Sequence, residues 1–326
     1  MGLAMQVRFF GVRGSIPTPG SATVRYGGNT VCVEARLADG TVIIFDGGTG
    51  LRELGKVLLA ERHPGPFSLL LTHVHWDHIM GLPFFGPLWR RESKVSIYPL
   101  ANDAHQDSAR RRSLFDGVHF PVRGSDIPAQ LDVLEPSEGE WRIGSARIRR
   151  IALNHPGGAQ GFRLDDDDGS SVAYLTDNEL APPGSASPAT EALARFAAGV
   201  SVLIHDAQYD EHEMPERRGW GHSCVRSVVE LGEQAETPHL VLFHHDPDRD
   251  DDALDALGWR AQAMLRKDKS ATVATVAHEG LIIRLEKGEE VCPTNDAPRP
   301  AANDGGSHDG GSAPRPPAEP PSSPER

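Results

Sequence analysis

Three cysteines in 326 residues are too few and too scattered to staple a fold. Cys32, Cys224 and Cys292 are odd in number and share no close spacing. That excludes a disulfide framework and points to a reducing, cytoplasmic setting. Positive charge is also short: 33 Lys and Arg face 46 Asp and Glu, for a formal net charge of −13. A phosphate backbone repels such a chain, so broad coating of nucleic acid is excluded, while a locally basic site for a small phosphate-bearing ligand is not. No apolar run approaches the ~20 residues that span a bilayer. The opening MGLAMQVRFFGVRGS lacks the apolar stretch of a signal peptide, and Gln6 stands where myristoylation of Gly2 needs Ser or Thr. Internal repeats are absent. The GGTG at 47–50 lacks both the Lys of a P-loop and the spacing of a dinucleotide fingerprint, which leaves a tight turn.

What is present divides into a folded body, 1–290, and a tail, 291–326. The tail is acidic, rich in Pro, Gly and Ser, and nearly free of large apolar residues. Such a segment buries too little surface to offset its ordering entropy and is expected to be disordered, so His308 within it is no ligand. In the body, apolar runs predict strands at about 6–11, 31–37, 41–45, 68–72, 94–98, 146–153, 171–176, 200–205, 239–244, 272–276 and 280–285. Unbroken runs such as FSLLLTH, VSVLIHD and HLVLFHH suit strands covered on both faces. Helical spacing predicts helices at about 49–61, 78–90, 189–198, 223–236 and 252–267, with Ser223 as an N-cap. Two sheets sandwiched between helices account for the pattern. The stretch 101–140 is long for a connection and is read as a cap or dimer element.

Six predicted strands end on His or Asp: VIIFD on Asp46, FSLLLTHVHWDH on His73, His75, Asp77 and His78, RIRRIALNH on His155, SVAYLTD on Asp177, VSVLIHD on His205 and Asp206, HLVLFHH on His244 and His245. One strand-end Asp is an ordinary turn former. Six such ends argue for one shared site at a sheet edge, where open sheets place ligands. THVHWDH is the sharpest signal. At this composition H-x-H-x-[DE]-H arises by chance in about four chains per thousand, so it is specific. His73 and His75, two apart, can face one side of an extended segment, and a following helix sends Asp77 and His78 elsewhere. Imidazole with carboxylate suits Zn²⁺, and also Mn²⁺ or Fe.

THVHWDH resembles the HxHxDH signature of the metallo-β-lactamase superfamily, and the later residues follow in the family's order over roughly 5–285. The resemblance implies an αβ/βα four-layer sandwich, with two mixed sheets between helical layers. It implies two divalent metal ions, zinc first. His73, His75 and His155 would hold one, Asp77, His78 and His244 the other, and Asp177 would bridge them, with Asp46 a structural acid. Within the superfamily the chain is similar to the phosphodiesterase branch that includes ribonuclease Z and cyclic-nucleotide phosphodiesterases. The bridging residue is Asp rather than Cys. HDA…GWGHS resembles the His-Glu-Ala-Thr and His-Ser-Thr segments of ribonuclease Z, and GVRGSIPTPGSATVRYGGNTVCVE resembles the Gly-rich start of the branch. Asp206 and Cys224 depart from ribonuclease Z, which has Glu and Thr there, and no long Gly/Pro-rich tRNA-gripping arm is visible.

The expected activity is therefore metal-dependent hydrolysis of a small phosphodiester such as a cyclic nucleotide. The alternatives are a tRNA 3′-end endonuclease, a lactone, thioester or sulfate-ester hydrolase, and a non-catalytic metal-binding accessory protein. The catalytic set is Asp77 with His222 and Asp206. His222 would bind a phosphate oxygen or protonate the leaving alkoxide, and Asp206 would hold its other nitrogen. A nearby helix N-terminus would favour an anion. His205 and His245 are read as packing or supporting residues. Arg110, Arg111 and Arg112 are read as a solvated helix face, and Phe115, His119 and Phe120 as packing rather than base-stacking. No membrane partner is expected. A homodimer is implied by the resemblance to ribonuclease Z alone.

Overall fold

The computed structural model describes residues 5–98, 115, 121–134, 139–285 and 292–294. The expected readings of Arg110–Arg112, His119, Phe120 and His308 lie outside those residues.

The first half supplies β1 (Met5–Gly11), β2 (Cys32–Arg36), β3 (Val42–Phe45), α1 (Gly50–Ala60), β4 (Phe67–Leu70), α2 (Trp76–Ile79), β5 (Lys94–Tyr98) and β6 (Gln130–Val133). The second supplies β7 (Glu140–Ile143), β8 (Ala146–Leu153), β9 (Ala159–Asp165), β10 (Ser171–Leu175), α3 (Pro188–Ala197), β11 (Val202–Asp206), α4 (Met214–Arg217), α5 (Val225–Gln234), β12 (His239–Phe243), α6 (Asp251–Lys267) and β13 (Val273–Val276). The chain then returns to the first sheet through β14 (Ile282–Leu285) and β15 (Cys292–Thr294). The first sheet has eight strands in the order β15-β14-β1-β2-β3-β4-β5-β6, and the second has seven, β13-β12-β11-β10-β9-β8-β7. Both are mixed: β3 to β6 run parallel in one and β10 to β13 in the other, beside antiparallel neighbours.

Alternation along the strands builds four layers. Ile43 and Phe45 of β3 join Phe162, Tyr174 and Phe243 in the core between the sheets. Val42 and Ile44, one residue out of phase, pack instead with Leu51, Leu54 and Leu58 of α1. On the far side, Ala173, Leu203 and Leu240 meet Leu193 of α3, Val228 of α5 and Leu257 of α6. A central strand thus buries both faces, which is why its sequence is unbroken apolar rather than alternating. The αβ/βα sandwich expected from the sequence is the observed architecture. Phe115 is buried among the apolar residues under the first sheet, as packing requires.

Local differences have local causes. The helix expected at 78–90 is one turn, α2, followed by short 3₁₀ turns at Leu82–Phe84 and Gly86–Trp89. Pro83 and Pro87 remove the donors a continuous helix needs. β6, β7 and β9 escape a search for apolar runs. β6 and β7 are short and polar, and β9 carries Gly161, Arg163 and Asp165. Gly161 admits the Leu175 side chain, which would lie 2.4 Å from a Cβ there. Cys292–Thr294 pairs antiparallel with β14, just beyond residue 290, where composition placed the end of the body. Ser223 does not cap α5: Cys224 is the N-cap, and the Ser223 hydroxyl donates to Asn178 O and accepts from Leu180 N at 3.0 Å. α3 and α6 do carry side-chain caps, from Ser187 to Thr190 N and from Asp250 to Ala253 N.

Candidate metal centre

The parallel strands of the two sheets end at one edge, and there the chain turns sharply. Asp46, Asp177 and His244 each follow a strand with φ of 57–58°, the left-handed region that non-glycine residues rarely adopt. Strain of this kind persists only where surroundings over-determine the backbone. At Asp46 the determinants are visible. Its carboxylate accepts from Thr72 N at 2.8 Å, from the Thr72 hydroxyl, from Tyr174 Oη at 3.0 Å and from His78 Nδ1 at 2.9 Å.

The turns bring seven side chains together. His73, His75, His155 and Asp177 offer ligand atoms within 4.8 Å of one another, and so do Asp77, His78, Asp177 and His244. Asp177 belongs to both groups through different oxygens. Its Oδ2 lies 3.6 Å from His73 Nε2 and 3.7 Å from His155 Nε2. Its Oδ1 lies 3.2 Å from His78 Nε2 and 3.1 Å from His244 Nε2. His155 Nε2 is 3.0 Å from His75 Nδ1, and Asp77 Oδ2 is 3.3 Å from His244 Nε2.

Three of the histidines are fixed from behind through their Nδ1 atoms. His78 Nδ1 is held by Asp46, His155 Nδ1 donates to Gly221 O at 3.1 Å, and His244 Nδ1 donates to Gln208 Oε1 at 3.0 Å. Such outer partners set tautomer and direction. Two glycines are required by this packing. A Cβ on Gly14 would sit 2.4 Å from the His244 ring, and one on Gly221, at φ 87°, 2.2 Å from His155 Nδ1. Ser15 N donates to Asp77 Oδ2 at 2.7 Å.

The residues fit divalent cations. His73 Nε2 and His78 Nε2 are buried without a hydrogen-bond partner, a state that proteins avoid unless something is to be held there. Burial pushes His73 well below the usual imidazole range, which keeps a lone pair available. Burial opposes charge on His78 too, but the carboxylates of Asp177, Asp77 and Asp46 hold its pKa well above the ordinary value. So dense a meeting of imidazole and carboxylate calls for a shared positive charge.

His222 and Asp206 lie beside these clusters. His222 Nδ1 donates to Asp206 Oδ2 at 2.6 Å. Its ring stacks on His244 at 5.0 Å and meets His155 edge-on at 5.3 Å, so it touches both groups. Burial lowers its basicity, but the Asp206 charge outweighs burial and lifts the pKa to about 9. Asp206 Oδ1 accepts from Gln208 N at 3.1 Å and Ser223 N at 3.3 Å. Asp206, His222 and His244 also offer atoms within 4.8 Å, but both Asp206 oxygens are engaged, which argues against a third ion.

A family model described as the beta-lactamase superfamily domain matches residues 41–245. The chain belongs to the beta-lactamase superfamily. It is similar to the ribonuclease Z of Haloarcula marismortui, with 24% identity covering 74% of this chain and 86% of that protein. The metallo-beta-lactamase fold protein YhfI from Bacillus subtilis superposes with a TM-score of 0.62 at 17% identity, covering 85% of this chain and 98% of the other. A diphosphatase from the PhnP family superposes with a TM-score of 0.59 at 20% identity, covering 89% and 100%. This superfamily fold implies divalent metal binding, and the two His/Asp groups suit it.

Every residue singled out from the sequence as a ligand or catalytic group lies at this edge, Asp46 included. His205 and His245 are buried behind it. His205 Nδ1 donates to Asp206 O at 2.7 Å and Nε2 accepts from Asn178, while His245 Nε2 donates to Ala277 O at 2.8 Å. Sequence reasoning missed Gln208, Gly14, Gly221 and Asn178. Asn178 Oδ1 accepts from Asn154 N at 2.9 Å, which ties the His155 loop to the Asp177 turn. Its position next to Asp177 was the one available signal. No helix among the described residues is long and apolar enough to cross a membrane.

Proposed function

We propose that this superfamily hydrolase is a dinuclear phosphodiesterase acting on a compact diester such as a cyclic nucleotide. The observation that carries the proposal is the position of Asp177, whose two oxygens face two separate histidine groups. His73, His75 and His155 would hold one ion and Asp77, His78 and His244 the other, with Asp177 shared and zinc the first choice for both. When bound, such ions supply positive charge that acidifies a water and neutralises phosphoryl oxygens.

The chain's own residues do the rest. His222 carries a proton on Nε2, because Asp206 engages Nδ1 and stabilises the imidazolium. From its place against both His155 and His244 it binds a phosphoryl oxygen and delivers that proton to the departing alkoxide. Asp206 is fully buried and acts through His222 as a positioning residue. Ser15 N fixes Asp77, so its carboxylate points one way through the cycle. The two buried free thiols, Cys32 and Cys224, support a reducing, cytoplasmic setting.

A second reading is tRNA 3′-end cleavage, favoured by the likeness to a ribonuclease Z. The net charge of −13 weighs against a large polyanion as substrate. The deciding experiment gives metal-loaded protein bis-p-nitrophenyl phosphate, a cyclic-nucleotide panel and a pre-tRNA, with Asp177→Ala as control. Turnover of the diester and a cyclic nucleotide, lost in the variant, is expected. Cleavage of pre-tRNA alone would favour the second reading. No turnover with both ions bound would move the assignment to lactones, thioesters or an accessory role.

A further inference from the structure

Two exposed tryptophans are next to or within two residues of metal-centre residues along the chain. Trp76 is 74% exposed and Trp220 is 52% exposed, in contrast to the buried Phe45, Phe162, Tyr174 and Phe243 of the core. Both lie in segments that build the clusters. Trp76 falls between His75 and Asp77 and opens α2. Trp220 is followed by Gly221, whose carbonyl fixes His155, and then by His222. His75 and His155 meet at 3.0 Å, so the two tryptophan-bearing segments join across the first cluster.

The segments are held firmly. Gly219 N and Gly221 N, on either side of Trp220, both donate to Glu179 Oε2, at 2.7 and 3.1 Å. The Arg217 guanidinium lies 4.6 Å from the Trp220 ring centroid and 5.4 Å from that of Tyr209, so it braces one ring against the other. Trp76 is fixed by the helical bond from Met80 N to Trp76 O at 2.8 Å. A single exposed ring is ordinary, but two on segments that meet over one cluster offer an apolar rim to a site.

The neighbouring charge says by what. Arg217 and Arg218 form no ion pair with any described residue, in a chain of net charge −13. A ligand matched to this mouth joins a planar ring to an anionic group. A nucleotide does so, whereas an alkyl diester brings only the anion and an acyl lactone neither.

We propose that Trp76 and Trp220 grip the base of a nucleotide whose phosphodiester lies at the metal centre, and so select base-bearing substrates. This rests on the phosphodiesterase reading above. Stacking on such rings tolerates any base, because every base has a π-face.

The test compares two chromogenic diesters on the metal-loaded full chain, p-nitrophenyl thymidine 5′-phosphate and methyl p-nitrophenyl phosphate. Wild type is expected to prefer the thymidine ester in kcat/KM. That preference should fall about 5- to 100-fold in Trp76→Ala and in Trp220→Ala, the range for losing one stacked base, and be largely kept in Trp76→Phe. Adenosine monophosphate should quench tryptophan emission saturably in wild type, and weakly in the double alanine variant. An unchanged preference in both alanine variants would overturn the proposal. So would a dimeric wild type that becomes monomeric on either substitution, since the rings would then belong to an interface between copies. If neither ester turns over but the quenching behaves as stated, the phosphodiesterase reading fails and the base grip stands. If both esters turn over without preference or quenching, the grip alone fails.

Discussion

The two sheets each place a buried carboxylate behind an imidazole, and the two pairs do different work. In the first sheet Asp46 holds His78 Nδ1 at 2.9 Å. In the second Asp206 holds His222 Nδ1 at 2.6 Å. Both pairs favour a charged ring, yet their surroundings differ. His78 has no exposure, and its Nε2 meets Asp177 at 3.2 Å and Asp77 at 3.4 Å. Two carboxylates converge on that nitrogen, more than one proton can satisfy, so the pair is suited to holding a cation. His222 retains 8% exposure, stacks on His244 and meets His155 edge-on, and its Nε2 forms no ion pair with a described carboxylate. The pair there is suited to carrying a proton. The lesson is that the carboxylate behind a histidine sets its basicity, while what lies ahead of the other nitrogen sets its task.

Substitutions can separate the two roles. Within the two pairs the largest effect is expected from His222→Ala, which should keep both ions but lose about 10²–10⁴-fold in kcat on bis-p-nitrophenyl phosphate, the usual share of a general acid. Unchanged kcat with normal metal content would return His222 to a packing role. Asp46→Ala should act through metal and fold together. It leaves Thr72 N, Tyr174 Oη and His78 Nδ1 without their acceptor, for a loss of roughly 3–5 kcal/mol, read as a lower urea midpoint. Metal affinity should also fall about 10- to 100-fold by titration against a chelator. A stable, tightly loaded Asp46→Ala protein would break the comparison at its first pair.

Asp206→Asn sharpens the second pair. The carboxylate raises the His222 pKa, so its removal should lower it and move the alkaline limb of the kcat profile to lower pH. Metal content should not change. A limb that stays in place would mean His222 is not the titrating acid.

The smallest effect concerns a histidine outside both pairs. His239 is buried and its Nε2 bonds to Thr275 Oγ1 at 2.9 Å. Burial lowers its pKa to about 4. Because the folded value lies below the unfolded one, the unfolded chain binds the extra proton as pH falls from about 6.5. The stabilisation is therefore full above that pH and is lost progressively towards the folded value. The urea midpoint of wild type should drop between pH 7 and 5 by more than that of His239→Gln. Equal drops would show that His239 does not contribute.

Much of this site was legible because ligands obey strand ends. A strand–turn boundary is visible in one sequence, and six boundaries ending on His or Asp converge once parallel strands share an edge. The supporting atoms were not legible. Gly221 O, Gln208 Oε1 and Ser15 N reach His155, His244 and Asp77 from distant segments, and nothing in their own neighbourhoods marks them. The fold divides in the same way. Central strands such as β3, β11 and β12 were visible because burial on both faces leaves only apolar residues. The edge strand β7 and the strand β9 with its Gly161 were hidden, since partners rather than side chains define them.

The most direct test is metal analysis of purified wild type, Asp77→Ala and Asp177→Ala, loaded identically. Among the described residues, Asp177 is the one that offers oxygens to both histidine groups, so two ions per chain are expected in wild type, loss of one in Asp77→Ala, and loss of both with turnover in Asp177→Ala. Two ions and wild-type turnover in Asp177→Ala would contradict it.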